Sequence, residues 1–130
     1  MKDQPDSRFL ELLSDIVLWG ERVPALLGGM TFEQFEEDHR THLAVWKCLE
    51  VVGEASGRIL KIDPGIERKY PDLQVRAAYA MRNRLSHGYG GVDLSVLWTT
   101  AHNFLPPMVA AARTARQRST VDGGPNRSSL

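Results

Sequence analysis

Phe9, Leu12, Leu13, Ile16, Val17, Gly20 and Val23 recur at three- and four-residue intervals, the spacing that lays an apolar stripe along one side of an α-helix. The pattern predicts a helix over 7–27, ended by Gly28-Gly29. Thr31, followed three residues later by Gln34, has the signature of a capping box, so a short helix is expected over 31–37. A long helix is expected over 39–61, with Leu43, Trp46, Leu49, Val52, Ile59 and Leu60 inward and Pro64-Gly65 as its stop. Gly53 and Gly57 lie four apart within it. Each costs about 1 kcal/mol relative to alanine in mid-helix, and the compensation expected is a second helix crossing closely there.

A short amphipathic turn over 65–70 leads to Pro71-Asp72, where Asp72 is expected to cap a helix running to about Ser86. His87-Gly88-Tyr89-Gly90-Gly91 then breaks the pattern with three glycines and predicts a loop. Asp93 is suited to cap a last helix from Leu94 to about Arg116, which Pro106-Pro107 should kink or divide. Beyond Arg118 the sequence STVDGGPNRSSL lacks periodicity and apolar groups, so 119–130 is expected to be a disordered tail after one folded domain over 1–118. No segment alternates with period two and no internal repeat is visible. The expected class is therefore all-α: an up-and-down bundle of four long helices with one or two short ones.

Composition narrows the function classes. Of the 130 residues 42% are hydrophobic and 25% charged, ordinary globular values that exclude a disordered chain and a collagen-like repeat. No apolar run approaches the roughly 18 residues of a membrane span, and the opening MKDQPDSRF lacks the apolar stretch of a signal peptide, so a cytoplasmic location is expected. Cys48 is the single cysteine, excluding an intramolecular disulfide, and lies in an apolar stretch as a buried thiol. Sixteen basic and sixteen acidic side chains cancel, which excludes a polybasic coat for nucleic acid. The cancellation hides an asymmetry: residues 1–63 hold seven basic and twelve acidic groups, residues 64–130 nine and four, so a dipole between the halves is expected. Arg68, Lys69, Arg76, Arg82 and Arg84 fall within a stretch containing one acid, Asp72.

The segment Met81-Arg82-Asn83-Arg84-Leu85-Ser86-His87-Gly88-Tyr89 concentrates polar and titratable groups where a helix meets a glycine loop, a setting in which sites are common. On a regular helix Arg82 shares a face with Val75, Tyr79 and Ser86, so its guanidinium projects from largely apolar surroundings. His87, five residues on, is turned about 140° away on an ideal helix. The two groups converge if the helix unwinds there, which Gly88 permits, or if they come from two chains. A guanidinium stabilises charge on the non-bridging oxygens of a phosphodiester while an imidazole near a helix C-terminus moves protons. In RNA the 2′-hydroxyl can serve as nucleophile, so that chemistry requires no metal and no cofactor.

The runs MTFEQFEEDHRTHLAVWKCLEVVGEASGRI and YPDLQVRAAYAMRNRLSHGYGGVDLSVLWTTAHNFLPP, in that order and spacing, closely resemble the HepT-like toxins of the HEPN superfamily over residues 8–116. The family motif is Arg, four residues, His, one residue, Tyr, and Arg82, His87 and Tyr89 fill it. The resemblance implies a HEPN helical bundle that dimerises with itself, two motifs lining one cleft as a metal-independent ribonuclease. It implies neutralisation by an MntA-like minimal nucleotidyltransferase antitoxin, and neither DNA nor a membrane as partner. Carried over by position, Arg82 would stabilise the phosphate, His87 would be the general acid or base, and Tyr89 would accept an adenylyl group. Asn83 would orient the arginine or the scissile phosphate. Glu54, in the family-like Gly53-Glu54-Ala55, is expected to pair with an arginine such as Arg82. Where family members often carry an aromatic after the tyrosine, Gly90-Gly91 stands here and loosens the loop.

Other residues have plainer readings. Asp38, His39 and His42 lack a further ligand for a metal and read as a solvated helix face. His102 reads as a surface or partner-packing residue. Trp19, Trp46 and Trp98 read as core or interface anchors rather than base-stacking platforms. The competing class to a ribonuclease is a non-catalytic helical adaptor that docks a nucleotidyltransferase, followed by a generic helical dimerisation module.

Overall fold

The computed structural model describes residues 7–85 and 93–123, and among them every regular element is helical. Four long helices, α1 (Ser7–Leu27), α3 (His39–Ile62), α5 (Val75–Leu85) and α7 (Leu105–Gly123), carry the bundle. Three short ones, α2 (Phe32–Glu37), α4 (Ile66–Lys69) and α6 (Leu94–Thr99), link them. α3 is the central element, packed against α1 on one side and α5 on the other, while α7 lies against α1. All seven residues of the α1 stripe are buried, as their spacing requires. None of the described helices is long and apolar enough to cross a membrane.

Caps legible in the sequence form as local hydrogen bonds. The Thr31 hydroxyl accepts from Gln34 N at 3.1 Å and the Gln34 side chain accepts from Thr31 N at 2.9 Å, completing the capping box of α2. Asp93 opens α6 by accepting from Ser95 N at 2.8 Å. Asp38, which the sequence did not mark as a cap, also accepts from Thr41 N at 3.1 Å and so opens α3.

Four expectations are corrected. Asp72 does not cap α5: Pro71–Leu73 forms a 3-10 turn, and Gln74 then takes a left-handed conformation (φ 48, ψ 41), so α5 begins only at Val75. Leu43 faces outward, 44% exposed, because the buried positions of α3 that meet α1 and α5 are Val45, Cys48, Leu49, Val52, Ala55 and Ile59. His42 is not on a solvated face but 2% exposed, its ring 5.6 Å from that of Phe35. The last helix continues to Gly123 rather than ending near Arg116, with Thr120 Oγ1 donating to the Arg116 carbonyl at 2.9 Å. Residues beyond 123 lie outside those described.

Pro106-Pro107 divide the C-terminal helix as expected. Neither ring nitrogen can donate to the carbonyl four residues back, and each ring would crowd that carbonyl in a regular α-helix. Thr100–Phe104 instead winds as a π-helix, with Leu105 N donating to Thr100 O five residues back, and α7 starts on the far side. Leu105, Met108, Ala112 and Ala115 then all face the core.

Candidate active site

The close helix crossing expected at Gly53 and Gly57 is present, and it sets the site. A Cβ at Gly53 would collide with Arg82 Cβ and stand 2.8 Å from the Ala78 carbonyl oxygen; one at Gly57 would run into the Tyr79 ring. The two missing side chains let α5 settle onto α3 with Arg82 and Tyr79 seated in the gaps. The stem of Arg82 thus drops beside Gly53, and its guanidinium meets the carboxylate of the next residue, Glu54, with Nη2 2.9 Å from Oε2. Glu54 Oε1 is 3.3 Å from Nε of Arg58, one turn along α3, so one carboxylate holds two guanidinium groups. Asn83 Oδ1 accepts from Arg82 Nη1 at 3.3 Å. The Arg82 side chain is 32% exposed and that of Glu54 40%, so the pair stands open to solvent on one side.

Three of the candidate residues, Arg82, Asn83 and Glu54, are therefore brought together. His87 and Tyr89 lie outside the described residues, and so does the convergence of histidine and arginine. The described chain frames them: α5 reaches Leu85, buried at 6% exposure, and resumes at the Asp93 cap. The hydrogen bonds from Ser95 hold the Asp93 carboxyl below its ordinary value.

The remaining singled-out residues have structural partners. The Asp38 carboxyl is spent on Thr41, whose hydrogen bonds lower its pKa. Burial lowers the pKa of His42, aided by the neighbouring His39, whose ring is 4.9 Å away. His102 is exposed and stacks 4.1 Å from Trp98, its Nδ1 2.8 Å from the Trp98 carbonyl oxygen. Phe32, Phe35 and Trp98 form an aromatic cluster with rings 5.3 to 6.5 Å apart, and Trp19 carries Arg22 over its face at 4.2 Å. Cys48 is buried, which raises its thiol pKa. Among the described residues no group of three His, Cys, Asp or Glu side chains is placed to hold a metal ion.

Sequence reasoning passed over one feature. A groove of about 510 Å³ opens beside Arg82 and Glu54, and Arg8, Arg58, Lys61 and Tyr79 also line it. Its signal was present: Arg58 and Lys61, one helical turn apart, follow Gly57 in an acidic half of the chain.

The described helices form an all-α bundle of the HEPN type, and they bring Arg82, Asn83 and Glu54 together beside a basic groove. The chain belongs to the HepT-like ribonuclease family: the family model described as "Ribonuclease HepT-like" matches residues 10–115. It is 35% identical over 98 residues to "Probable ribonuclease HepT" of Thermococcus cleftensis, covering 75% of this chain and 86% of that one. It is also 35% identical over 94 residues to "Putative RNase MJ0125" of Methanocaldococcus jannaschii, covering 72% and 78%. A second protein of that organism, "Putative RNase MJ1216", is 35% identical over 94 residues, with 72% and 75% covered. No solved structure matches the chain.

Proposed function

We propose that this chain is the toxin of a HepT/MntA-type toxin–antitoxin pair, a metal-independent endoribonuclease whose homodimer sets Arg82 and His87 of each copy at a shared cleft. The observation that carries the reading is Arg82 itself, fixed by Glu54 at the mouth of a basic groove and followed five residues later by His87 in a chain of this family. In the reaction an imidazole takes the proton of the RNA 2′-hydroxyl, and the 2′-oxygen forms a bond to the adjacent phosphorus. The bond to the 5′-oxygen breaks, that oxygen receives a proton, and a cyclic phosphate remains. Arg82 neutralises the charge gathering on the non-bridging oxygens.

The antitoxin is an MntA-like nucleotidyltransferase acting by complex formation, by AMPylation of Tyr89, or by both. In the covalent route the Tyr89 hydroxyl oxygen bonds to the α-phosphorus of ATP, pyrophosphate leaves, and the hydroxyl proton passes to solvent. The product carries bulk and negative charge two residues from His87, which repels RNA phosphate.

The test is cleavage of RNA by the purified protein in the presence of EDTA, with growth of cells expressing it as a second readout. Wild type should cleave and slow growth, and Arg82→Ala and His87→Ala should each lose at least about a hundredfold in rate. A protein that cleaves no RNA, with variants as harmful to cells as wild type, refutes the mechanism in favour of a docking adaptor. AMP on Tyr89 after incubation with ATP and the antitoxin, read by mass spectrometry and lost in Tyr89→Phe, tests the covalent route.

A further inference from the structure

We propose that the groove beside Arg82 is a subsite for the backbone of single-stranded RNA, in which Arg58 and Lys61 take phosphates flanking the one that is cleaved. The inference rests on the ribonuclease reading of Arg82 and extends it to where the strand runs.

The groove is built from three helices. Arg8 comes from α1, Glu54, Arg58 and Lys61 from α3, and Tyr79 and Arg82 from α5. Four of these side chains are cationic and one is an acid. That ratio runs against the local composition, because residues 1–63 hold only seven basic groups against twelve acidic ones, and three of the seven meet here. Like charges gathered in a concave site raise the local potential and favour an anionic ligand. A volume of about 510 Å³ is within the range of pockets that receive small ligands.

The side-chain geometry favours phosphate over a carboxylate-bearing protein surface. Arg58 meets Glu54 through Nε, so its terminal Nη donors project past the carboxylate. Arg82 meets the other oxygen of the same carboxylate, so both guanidinium groups are gathered on Glu54 before any ligand arrives. Such forks match phosphate oxygens in pairs. Lys61, one turn beyond Arg58, continues the line of charge along α3 and is exposed. Tyr79 closes the floor against Gly57 with an aromatic surface, which a nucleobase can use and an acidic peptide does not need. The line starts at Arg82, so a strand with its scissile phosphate there reaches Arg58 and Lys61 without leaving the groove.

The experiment measures binding of a short 2′-O-methylated RNA strand, which lacks the nucleophile, to the full chain over a series of salt concentrations. Arg58→Ala/Lys61→Ala should bind at least tenfold more weakly. Its slope of log affinity against log salt should be shallower by about 1.4, two phosphate contacts at roughly 0.7 each on a single strand. With cleavable RNA the loss should fall on KM rather than kcat, whereas Arg82→Ala loses kcat. Arg58→Lys/Lys61→Arg, which keeps both charges, should keep the slope.

A double alanine variant with an unchanged melting temperature, affinity and slope overturns the groove and leaves the role of Arg82 standing. Wild-type binding without cleavage of ordinary RNA overturns the ribonuclease reading, while the change in slope still decides the groove. A wild type that binds no RNA overturns both.

Discussion

Glu54 holds two guanidinium groups with one carboxylate, yet at 40% exposure its contribution to stability is that of a surface ion pair, about 0.2–1 kcal/mol. On the proposed mechanism its role is to position Arg82. Glu54→Gln keeps the shape and removes the charge, so kcat for RNA cleavage should fall about tenfold, with Glu54→Asp recovering part of it and the melting temperature barely moving. His42 gives a pH prediction. Burial lowers its folded pKa below the ordinary 6.5, so the unfolded chain binds the proton first as pH falls. Stability is fully present above about pH 6.5 and declines below it, by at most about 1.4 kcal/mol per pH unit until the folded pKa is reached. Urea unfolding at pH 7.5 and 5.5 should show this decline, and His42→Leu should flatten it. Gln74, at φ 48, pays for a left-handed backbone without being glycine. Gln74→Asn, which tolerates that region better, should raise stability by up to about 1 kcal/mol in the same assay.

Among the elements, α1 and the capped starts of α2 and α6 were legible because their signals are local: a stripe, or a side chain reaching an amide within three residues. The start of α5 was not, since Pro71 draws Asp72 into a 3-10 turn and the left-handed Gln74 delays the helix. The inward face of α3 was legible at Leu49, Val52 and Ile59, with Trp46 and Leu60 packed against the core, but a helix with neighbours on two sides buries a wider arc than one stripe predicts, and Leu43 falls outside it. The glycine pair was readable as a crossing but not as a site, because which residue sits over Gly53 depends on the register of α5. That register can be tested. Alanine at either glycine should cost about 1–3 kcal/mol by overpacking, despite its better helix propensity. Gly53→Ala meets a carbonyl that cannot turn aside, and it should also slow cleavage by shifting Arg82. Melting curves and single-turnover rates on the two variants separate these effects.

At the scale of the whole molecule, the linear charge asymmetry is a poor guide to the field. Three basic groups of the acidic half line one groove with Arg82 from the basic half, a gathering of positive charge that the linear count of each half conceals. On the proposed RNA subsite, the four lining cations of one chain set the electrostatic part of its binding: the salt slope per groove should not exceed about 2.8 in magnitude, and a steeper value would point to contacts elsewhere, the second copy's included. The pairing of Arg82 with Glu54 was legible in the sequence, while His87 and Tyr89 lie outside the described residues; the groove was not legible, because its parts come from three helices. The π-wound stretch before Pro106 bears on how relatives align with this chain. It accommodates one residue more than regular winding would, and it does so without turning Met108 or Ala112 out of the core. A relative lacking the two prolines is therefore expected to align with a single-residue gap between 100 and 104, where regular winding needs one residue fewer.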